Sequence, residues 1–461
     1  MKPSVVWFRR DLRLHDHPAL VHATASSGPI APVFVVDDRL LAGRWAAPNR
    51  LWFMRASVAE LATGLAARGA RLTVLRGDPS EVVPRFATDV GAAQVVVSRD
   101  RTPYGRRRDE RVAARLGEVG IRWSAGRGLL LHEPEDIRRA DGGAYRIFGP
   151  FHRSWSAATE REVMPAPDRL QGVDADEGAT IEARLAPVVP TADERFLLEP
   201  GESAARARLD AWATSDRLHR YATDRDRLDL DGTSRLSQDL RWGLLSPVEV
   251  AARTAGPGES RARFRSELAW RDFYAHLLWQ EPDAARPALR PALESIAWQD
   301  DPAVIDAWKD GLTGYPIVDA AMRQLRVTGW MPNRARMIVA SFLTKHLGVD
   351  WRVGEAHFMA HLVDGDPASN NGGWQWAAST GTDAQPWFRI FSPTRQGRRH
   401  DPDGAYVRRW VPELAGIRGA DVHEPPAGAY PPPIVAHDEA RDRALAAYRA
   451  RSSGGDIATG D

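Results

Sequence analysis

The first 130 residues alternate short apolar runs with helix-like stretches, and this alternation constrains the fold more than any other feature. Apolar runs of strand length lie at residues 4–8, 30–36, 71–75, 94–98 and 121–123. Stretches with helical periodicity lie between some of them, at about 49–68, 79–90 and 104–118. Strands that alternate with helices form parallel sheets with helices on both faces. The pattern predicts an α/β domain over 1–130, a doubly wound parallel sheet with ligands beyond the carboxyl ends of its strands.

The chain changes character after residue 130. Periodicity weakens as far as about residue 200, where Pro, Asp and Glu are common, and we interpret 131–200 as an interdomain connector. Beyond it strand signals nearly vanish, and long amphipathic stretches recur at about 202–221, 261–281, 302–310, 315–328, 333–347 and 351–363. This indicates an all-α domain over 201–440, followed by a C-terminal tail over 441–461.

Composition narrows the classes of function. With 461 residues and a net charge of +1, the chain can form two or three domains, and any nucleic-acid site must be a local basic patch. The absence of cysteine excludes disulfides, thiolate metal sites and a cysteine nucleophile. The first residues leave no room for a secretion signal, and no long apolar run suggests a membrane span. We expect a monomeric cytoplasmic protein with no membrane partner.

One segment has the composition of a ligand site. Residues 364–376 read DGDPASNNGGWQW, which combines carboxylates, carboxamides, glycines and two indoles. Glycines let a backbone approach a flat molecule closely, and Asp and Asn side chains offer acceptors and donors to ring heteroatoms or ribose hydroxyls. The segment predicts a site for a planar or ribose-containing ligand.

Two predicted helices carry polar and aromatic side chains on one face. Glu267, Trp270, Arg271 and Tyr274 have the spacing i, i+3, i+4 and i+7, which places them in one stripe. Similarly, Asn333 and Arg334 share a face with Met337, whereas Arg336 points elsewhere. These faces could line a mixed pocket, or they could be solvated surfaces with some ion pairing.

A third group combines hydroxyls and guanidiniums. Tyr221, Arg225 and the segment TSRLS at 233–237 carry phosphate-binding chemistry, although the segment could also be only a helix cap. His357 and His361 have helical i, i+4 spacing, but no third ligand is evident, and we predict no metal site. No periodicity links Trp298, Trp351 and Trp374.

Four segments together resemble one family. WFRRDLRLHD at 7–16, TGYPIVDAAMR at 313–323, NRARMIVASFLTK at 333–345 and residues 364–380 are similar, in this order, to the photolyase and cryptochrome family. The resemblance covers about residues 1–425 and is strongest to class I cyclobutane pyrimidine dimer photolyases. It implies an α/β antenna domain, a connector and a helical FAD domain. It also implies repair of ultraviolet-damaged DNA, single- or double-stranded, under blue light.

The same resemblance implies how the reaction proceeds. Excited, fully reduced FAD would donate an electron to the dimer, the cyclobutane ring would split, and the electron would return. Glu267 would hydrogen-bond the pyrimidine edge and stabilise the radical anion, with Asn333 beside it. Trp374, Trp351 and Trp298 would carry electrons from the surface to reactivate oxidised flavin.

The resemblance also implies two binding sets. Asn370 would meet the flavin N5, and Asp364 would pair with Arg336 beside the ring. The residues implied for FAD are Tyr221, Thr233, Ser234, Arg235, Leu236, Ser237, Arg336, Asp364, Gly365, Asp366 and Asn370. The residues implied for DNA, with Arg398 and Arg399 nearby, are Arg225, Glu267, Trp270, Arg271, Tyr274, Asn333, Arg334, Met337, Trp376 and Gln396.

A second chromophore is implied in the α/β domain. Folate-binding members carry an Asn-Glu pair where this chain has Arg107 and Arg108. Asp100 and the segment PYGR at 103–106, with Arg241, instead resemble members that bind deazaflavin. We therefore predict an 8-hydroxy-5-deazaflavin antenna in preference to 5,10-methenyltetrahydrofolate.

Two related functions are alternatives. A cryptochrome-type blue-light photoreceptor would lack the dimer-contacting residues or carry a long signalling tail, and neither is seen. A (6-4) photoproduct photolyase would carry a histidine-rich stretch near 333–337, which this chain does not have.

Overall fold

The protein forms two compact units. The structure, a computed structural model, describes residues 1–26, 28–173 and 179–452. The first unit comprises Met1–Pro190, Leu198–His219 and Ser234–Pro282, and the second comprises Thr191–Leu197, Arg220–Thr233 and the chain from Asp283 onward. The boundaries expected near 130, 200 and 440 stay predictions. The expected C-terminal tail lies partly outside the described residues, from 453 to 461.

The first unit contains the predicted parallel sheet. Its strands are β1 (Ser4–Phe8), β2 (Ile30–Val36), β3 (Thr73–Arg76), β4 (Gln94–Ser98) and β5 (Arg122–Gly126), in the order β3-β2-β1-β4-β5. All neighbouring strands pair in parallel. Because crossovers between parallel strands are right-handed, the reversal of order at β1 sends the helices to both faces. The predicted α/β fold class is confirmed.

Burial and pairing explain the strand limits. The central strands β1, β2 and β4 are buried along their whole length, which is why they read as continuous apolar runs. The two edge strands differ from prediction by a few residues. β3 begins at Thr73 because its pairing with β2 starts there, and β5 continues to Gly126 because Ser98 of β4 pairs with it.

Local capping determines where the helices of the first unit begin. Asp78 accepts a hydrogen bond from the Ser80 backbone N–H and Thr102 from that of Gly105, and each cap is followed by proline. The predicted helix over 202–221 was too long, because it ends at Ala213. The helices are Pro18–Ala25, Asp38–Leu41, Pro48–Ala66, Pro79–Asp89, Pro103–Glu118, Phe148–Ala157, Ile181–Arg184, Glu202–Ala213, Asp216–His219, Ser237–Trp242, Pro247–Arg253 and Glu259–Gln280.

The described part of the second unit is helical, as predicted, and contains no named strand. Its α-helices are Tyr221–Asp224, Pro302–Asp310, Pro316–Thr328, Asn333–Ser341, Trp351–His361, Pro367–Ala377, Pro393–His400, Ala405–Trp410 and His437–Ser452. Phe342–His346 continues the Asn333–Ser341 helix as one π-helical turn. Short 3₁₀ segments along the chain are Glu194–Phe196, Pro282–Ala285, Pro291–Leu293, Pro412–Leu414 and Gly419–His423.

One buried carboxylate organises the core of the second unit. Asp319, on the Pro316–Thr328 helix, accepts hydrogen bonds from the Thr313 N–H and hydroxyl, from the Gly314 N–H and from the Tyr430 hydroxyl. The opposite side of this helix is apolar, and Val318, Ala321 and Leu325 are fully buried. The TGYP motif at 313–316 therefore leads into a helix whose apolar side is part of the core of this unit.

A buried histidine in contact with a half-buried one should make the second unit sensitive to acid. His346 Nε2 lies 2.8 Å from His437 Nδ1, and burial, with the charges of Arg443 and Lys345 nearby, lowers the pKa of His346 to about 3. The unfolded chain therefore binds more protons below pH 6.5, and stability is lost as the pH falls. This group should remove up to about 1.4 kcal/mol of unfolding free energy per pH unit below that point.

Urea unfolding between about pH 7 and pH 5 tests this expectation. His346→Gln should show a shallower loss of unfolding free energy with falling pH than the parent chain. His219→Gln, at an exposed histidine of the first unit, serves as the control and should follow the parent. Parallel pH profiles for the parent and His346→Gln would contradict the assignment.

None of the helices in the described residues is both long and apolar enough to cross a membrane.

Candidate active site

An ion pair in the second unit is the most distinctive feature of the predicted cofactor set. Arg336 Nη2 lies 2.8 Å from Asp364 Oδ2, and Arg336 Nε donates to the backbone oxygen of Met331 at 2.8 Å. The Asp364 side chain is only 2% exposed. Its other oxygen, Oδ1, is buried and has no hydrogen-bond partner among the described residues. A buried carboxylate oxygen without a donor is costly, so this position fits a ligand that supplies one.

Most of the DGDPASNNGGWQW segment, which begins with Asp364, folds as a capped helix. Asp366 caps Pro367–Ala377 by accepting from the backbone N–H groups of Ala368 and Ser369. Asn370 Nδ2 donates to the Glu355 backbone oxygen at 3.1 Å, and this bond orients the amide. Asn371 Nδ2 donates to Glu355 Oε1 at 2.9 Å. The roles of Asn370 and Asp364 as ligand contacts stay predictions, and Asn371 packs in a buried polar network.

Two arginines of the predicted DNA set in the second unit share a carboxylate. Arg334 Nη2 lies 2.6 Å from Asp226 Oδ2, and Arg225 Nε lies 3.7 Å from Asp226 Oδ1. Arg225 also packs over the Tyr221 ring at 5.4 Å. Burial opposes ionisation of Asp226, but the hydrogen bond and charge of Arg334 lower its pKa. The sequence reading missed Asp226, which holds both guanidiniums in place.

The other DNA-set residues of the second unit lie on three helices. Asn333 Nδ2 lies 3.6 Å from Met337 Sδ, which shows the shared face expected from their spacing. Trp376 is half-buried on Pro367–Ala377. Gln396, on Pro393–His400, has a buried Oε1 without a hydrogen-bond partner in the described part of the chain. Arg398, on the same helix, pairs with Glu424 at 2.8 Å.

The three tryptophans without a sequence periodicity belong to one hydrophobic cluster. Trp351 and Trp374 are buried in it, and the half-buried Trp298 packs against it. Gly354 makes room for Trp374, because a Cβ at that position would collide with the indole. Trp308, which the sequence analysis did not single out, lies 6.1 Å from Trp374 between ring centroids. Tertiary packing thus supplies the connection that spacing could not.

The predicted polar and aromatic stripe of the first unit is present on Glu259–Gln280. The Trp270 and Tyr274 rings lie 5.5 Å apart. Glu267 is partly exposed, 4.0 Å from Arg263, and Arg271 lies 3.4 Å from Asp272 Oδ1. The stripe is therefore a half-buried surface, on which Glu267 and Trp270 are each partly exposed.

The opposite face of this helix carries a residue that sequence reasoning missed. Asp272 Oδ2 accepts from the backbone N–H groups of Leu131 and His132 and from Trp155 Nε1, at 3.0, 3.1 and 3.1 Å. Burial raises the pKa of Asp272 to about 6. This carboxylate ties the connector to the helix. A charged residue on the largely apolar buried face of the helix was the signal of its role.

The hydroxyl-rich segment at 233–237 crosses the boundary between the two units. Thr233 belongs to the second unit, and residues 234–237 belong to the first. In the first unit, Arg235 has a positive φ of 53°, which is uncommon for a residue other than glycine. Its backbone oxygen accepts from Gln238 Nε2 at 2.7 Å. The Ser237–Trp242 helix has no side-chain hydrogen bond at its N-cap, Leu236. The segment is therefore not a side-chain cap of this helix, and its phosphate-binding role stays a prediction.

Charged residues gather at the carboxyl ends of the central strands. Arg9 follows β1 and pairs with Asp109 at 2.6 Å, and it donates to the Ser98 oxygen at the end of β4. Asp100 accepts from the Thr102 N–H at 2.9 Å and lies 3.4 Å from Arg108. Burial alone would raise the pKa of Asp100, but the neighbouring guanidiniums hold it below its usual range. Arg108 is thus a buried ion-pair partner.

In the described residues no cluster of three or more His, Asp or Glu side chains is arranged to hold a metal ion. The rings of His357 and His361 lie 4.3 Å apart, and His361 Nδ1 lies 3.0 Å from the His357 backbone oxygen. His357 packs edge-on against Trp308. Packing against neighbouring groups accounts for this pair.

Comparison with known proteins agrees with these features. The family model for DNA photolyase matches residues 4–168, and the model for the FAD binding domain of DNA photolyase matches residues 264–450. A deoxyribodipyrimidine photo-lyase of Thermus thermophilus is 42% identical, over 96% of this chain and 98% of the relative.

Two solved structures are similar along almost the whole chain. A class III photolyase from Agrobacterium tumefaciens has a TM-score of 0.91 at 37% identity, covering 98% of each chain. A photolyase from Sulfolobus tokodaii with two FAD molecules has a TM-score of 0.87 at 32% identity, covering 97% of this chain and all of that one. The protein belongs to the photolyase and cryptochrome family and carries its DNA photolyase and FAD-binding domains.

Proposed function

We propose that this protein is a deoxyribodipyrimidine photo-lyase that uses FAD and light to split cyclobutane pyrimidine dimers in DNA. The observation that carries the proposal is Asp364, whose buried Oδ1 lacks a donor among the described residues while Oδ2 pairs with Arg336. A flavin ring offers an N–H donor to such a carboxylate, and the FAD-binding domain match includes this residue. Assignment to class I within the family is part of the proposal.

The residues of the chain bind and orient in this proposal. Reduced FAD, when bound, supplies the electron that light makes available to the dimer. Arg336 pairs with Asp364 Oδ2 and orients the carboxylate, and the Asn370 amide is oriented by the Glu355 backbone oxygen. Tyr221, Gly365, Asp366 and the 233–237 segment would complete the FAD set.

The DNA contacts divide into two kinds. Arg225, Arg334 and Gln396 would meet the backbone, where the carboxylate of Asp226 fixes the two guanidiniums but also offsets part of their charge. In the first unit, Trp270 would stack on an extruded dimer, with Glu267 at its edge. In the second unit, Trp376, Asn333 and Met337 are further proposed DNA contacts. Extrusion of a dimer is cheaper than that of a normal base because the dimer pairs and stacks poorly; photolyases are a standard example of this flipping.

Repair of a dimer-containing oligothymidylate by the pre-reduced protein tests the function. Thymine absorbance should recover under blue light and stay constant in darkness. Recovery in darkness would contradict a photolyase. No recovery from a fully flavin-loaded protein would favour the cryptochrome alternative.

Trp298, Trp351 and Trp374 should be needed for photoreduction of oxidised flavin but not for dimer repair by the reduced protein. We expect Trp298→Phe to abolish photoreduction of oxidised flavin, because phenylalanine cannot relay an electron, while the chemically reduced protein still repairs dimers. Trp387→Phe is the matched control, since Trp387 is also half-buried against the small cluster of Leu293, Ile296 and Tyr448. Absorbance during illumination follows the reduction. Unchanged photoreduction in Trp298→Phe would remove it from the electron path.

We also propose an 8-hydroxy-5-deazaflavin antenna beyond the carboxyl ends of β1 and β4. Support comes from Arg108, which belongs to the Arg107-Arg108 pair that stands where folate-binding members carry Asn-Glu. The Arg108 side chain is buried and pairs with Asp100 and Asp109. The relative with two FAD molecules is described as implying a novel light-harvesting cofactor, so the chromophore varies within the family. Adding deazaflavin or folate to purified protein and measuring energy transfer to FAD distinguishes the two chromophores.

The monomeric state and cytoplasmic location of the protein stay predictions.

A further inference from the structure

The indole of Trp270 has one face covered by another ring of the first unit. The ring centroids of Phe148 and Trp270 lie 3.7 Å apart, and the ring planes differ by only 6°. Phe273 meets the indole edge-on at 5.7 Å, and Tyr274 lies tilted at 5.5 Å. A parallel stack at this separation leaves no room for a base on the covered face. Trp270 can therefore offer only its opposite face to a planar ligand.

Phe148 is itself held by a stack of rings. It stacks on His152 at 5.3 Å, and His152 stacks on Trp155 at 6.2 Å, so four rings form a column that ends at Trp270. The base of the column is rigid, because Trp155 is fully buried and donates its Nε1 to Asp272. Phe148, which is packed on this column, therefore restrains the half-buried indole of Trp270.

A fixed indole binds a base more tightly than a mobile one. An exposed tryptophan samples several rotamers, and a ligand that stacks on it must bear the entropy of ordering the ring. The Phe148 stack restrains the plane of Trp270 before any ligand arrives. It also fixes the side from which a base can approach, which favours one orientation of an extruded pair.

We propose that Phe148 is a positioning residue for dimer recognition, acting through the ring of Trp270. This inference rests on the proposed role of Trp270 in gripping the dimer. Phe148 lies in the connector predicted from sequence, where no motif indicated a function. Its effect is specific to the extruded lesion, because undamaged DNA places no base on the indole.

The test compares the dissociation constants of the FAD-loaded protein for dimer-containing and undamaged oligothymidylate. Phe148→Ala should weaken dimer binding about two- to twelvefold, the range expected for loss of one aromatic stack, with no change for undamaged DNA. Phe148→Tyr should bind dimer DNA as tightly as the parent, because its ring can stack. Phe148→Leu preserves apolar volume without a ring and should bind dimer DNA as weakly as the alanine variant. The leucine variant keeps the test valid if the alanine variant unfolds.

A double-mutant comparison separates positioning from general packing. In a Trp270→Ala background, Phe148→Ala should have no further effect on the preference for dimer DNA. Phe86→Ala, at a half-buried phenylalanine packed on the sheet of the same unit, is the matched control and should leave both affinities unchanged. Equal losses on both DNAs, or full binding by the leucine variant, would overturn the inference.

The same experiment distinguishes failure of this inference from failure of the proposed function. If Trp270→Ala loses the preference for dimer DNA but Phe148→Ala keeps it, Phe148 has no positioning role and the proposed function stands. If Trp270→Ala also keeps the preference, the proposed role of Trp270 is wrong, and the inference falls with it.

Discussion

Replacing Asp364 by asparagine should give a folded protein that loses FAD during purification. Asparagine has the shape of aspartate but no charge, so Arg336 loses its ion-pair partner and the flavin loses a charged acceptor. A hydrogen bond to a charged group contributes about 1.5–3 kcal/mol, which corresponds to a roughly 10- to 150-fold weaker affinity for FAD. The effect should be larger than that of any other single change in the proposed FAD set.

Flavin content per protein and titration of FAD into the flavin-free protein measure this effect. Asp310→Asn is the matched control, because Asp310 forms an exposed ion pair with Arg326, at 3.7 Å, and lies outside the proposed sites. A thermal melt of each flavin-free variant checks that the fold is intact. Normal FAD binding by Asp364→Asn would show that the buried Oδ1 serves another purpose.

Replacing Trp270 by alanine should remove the preference for dimer-containing DNA. The proposed stack on an extruded base is worth about 1–3 kcal/mol, so the dissociation constant for dimer DNA should rise about 5- to 150-fold. Undamaged DNA should bind as before, since its contacts are with the phosphates and do not require a flipped base. Repair at saturating dimer concentration should fall less than repair at low concentration, because the loss is mainly in binding.

Trp52→Ala provides a control in the same unit. Trp52 is also half-buried beside a phenylalanine, at 6.4 Å from Phe53 between ring centroids, but it lies on the Pro48–Ala66 helix and belongs to no proposed site. Competition binding with fluorescent oligothymidylate gives both dissociation constants. Loss of affinity for undamaged DNA in step with dimer DNA would mean that Trp270 supports the fold of the DNA-binding surface and not the recognition of the lesion.

Local signals predicted the secondary structure where capping and periodicity agree. The helix Pro302–Asp310 has the predicted bounds, because Asp301 caps its start and Gly311 adopts a left-handed conformation at its end. The predicted helix over 202–221 has no such agreement. It breaks after Ala213, and Asp216–His219 and Tyr221–Asp224 follow as separate turns. Amphipathic spacing alone could not locate those breaks.

The candidate sites divide in the same way. The ion pair between Arg336 and Asp364 was expected because both residues lie in segments that resemble the family. Asp226, Asp272 and Phe148 were not expected, since each acts through a residue distant in sequence. Asp226 meets Arg334, Asp272 meets the connector, and Phe148 meets Trp270. No periodicity within one helix can report such a partner.

By itself, the sequence determined the fold class, the order of its elements and the family, because alternating apolar runs, amphipathic spacing and contiguous motifs are local properties of a chain. Only the tertiary structure decided which oxygen of Asp364 lacks a donor among the described residues, which tryptophans share a cluster, and which face of Trp270 is open. Those properties depend on burial and on contacts between residues far apart in sequence. Packing, and not local pattern, creates them.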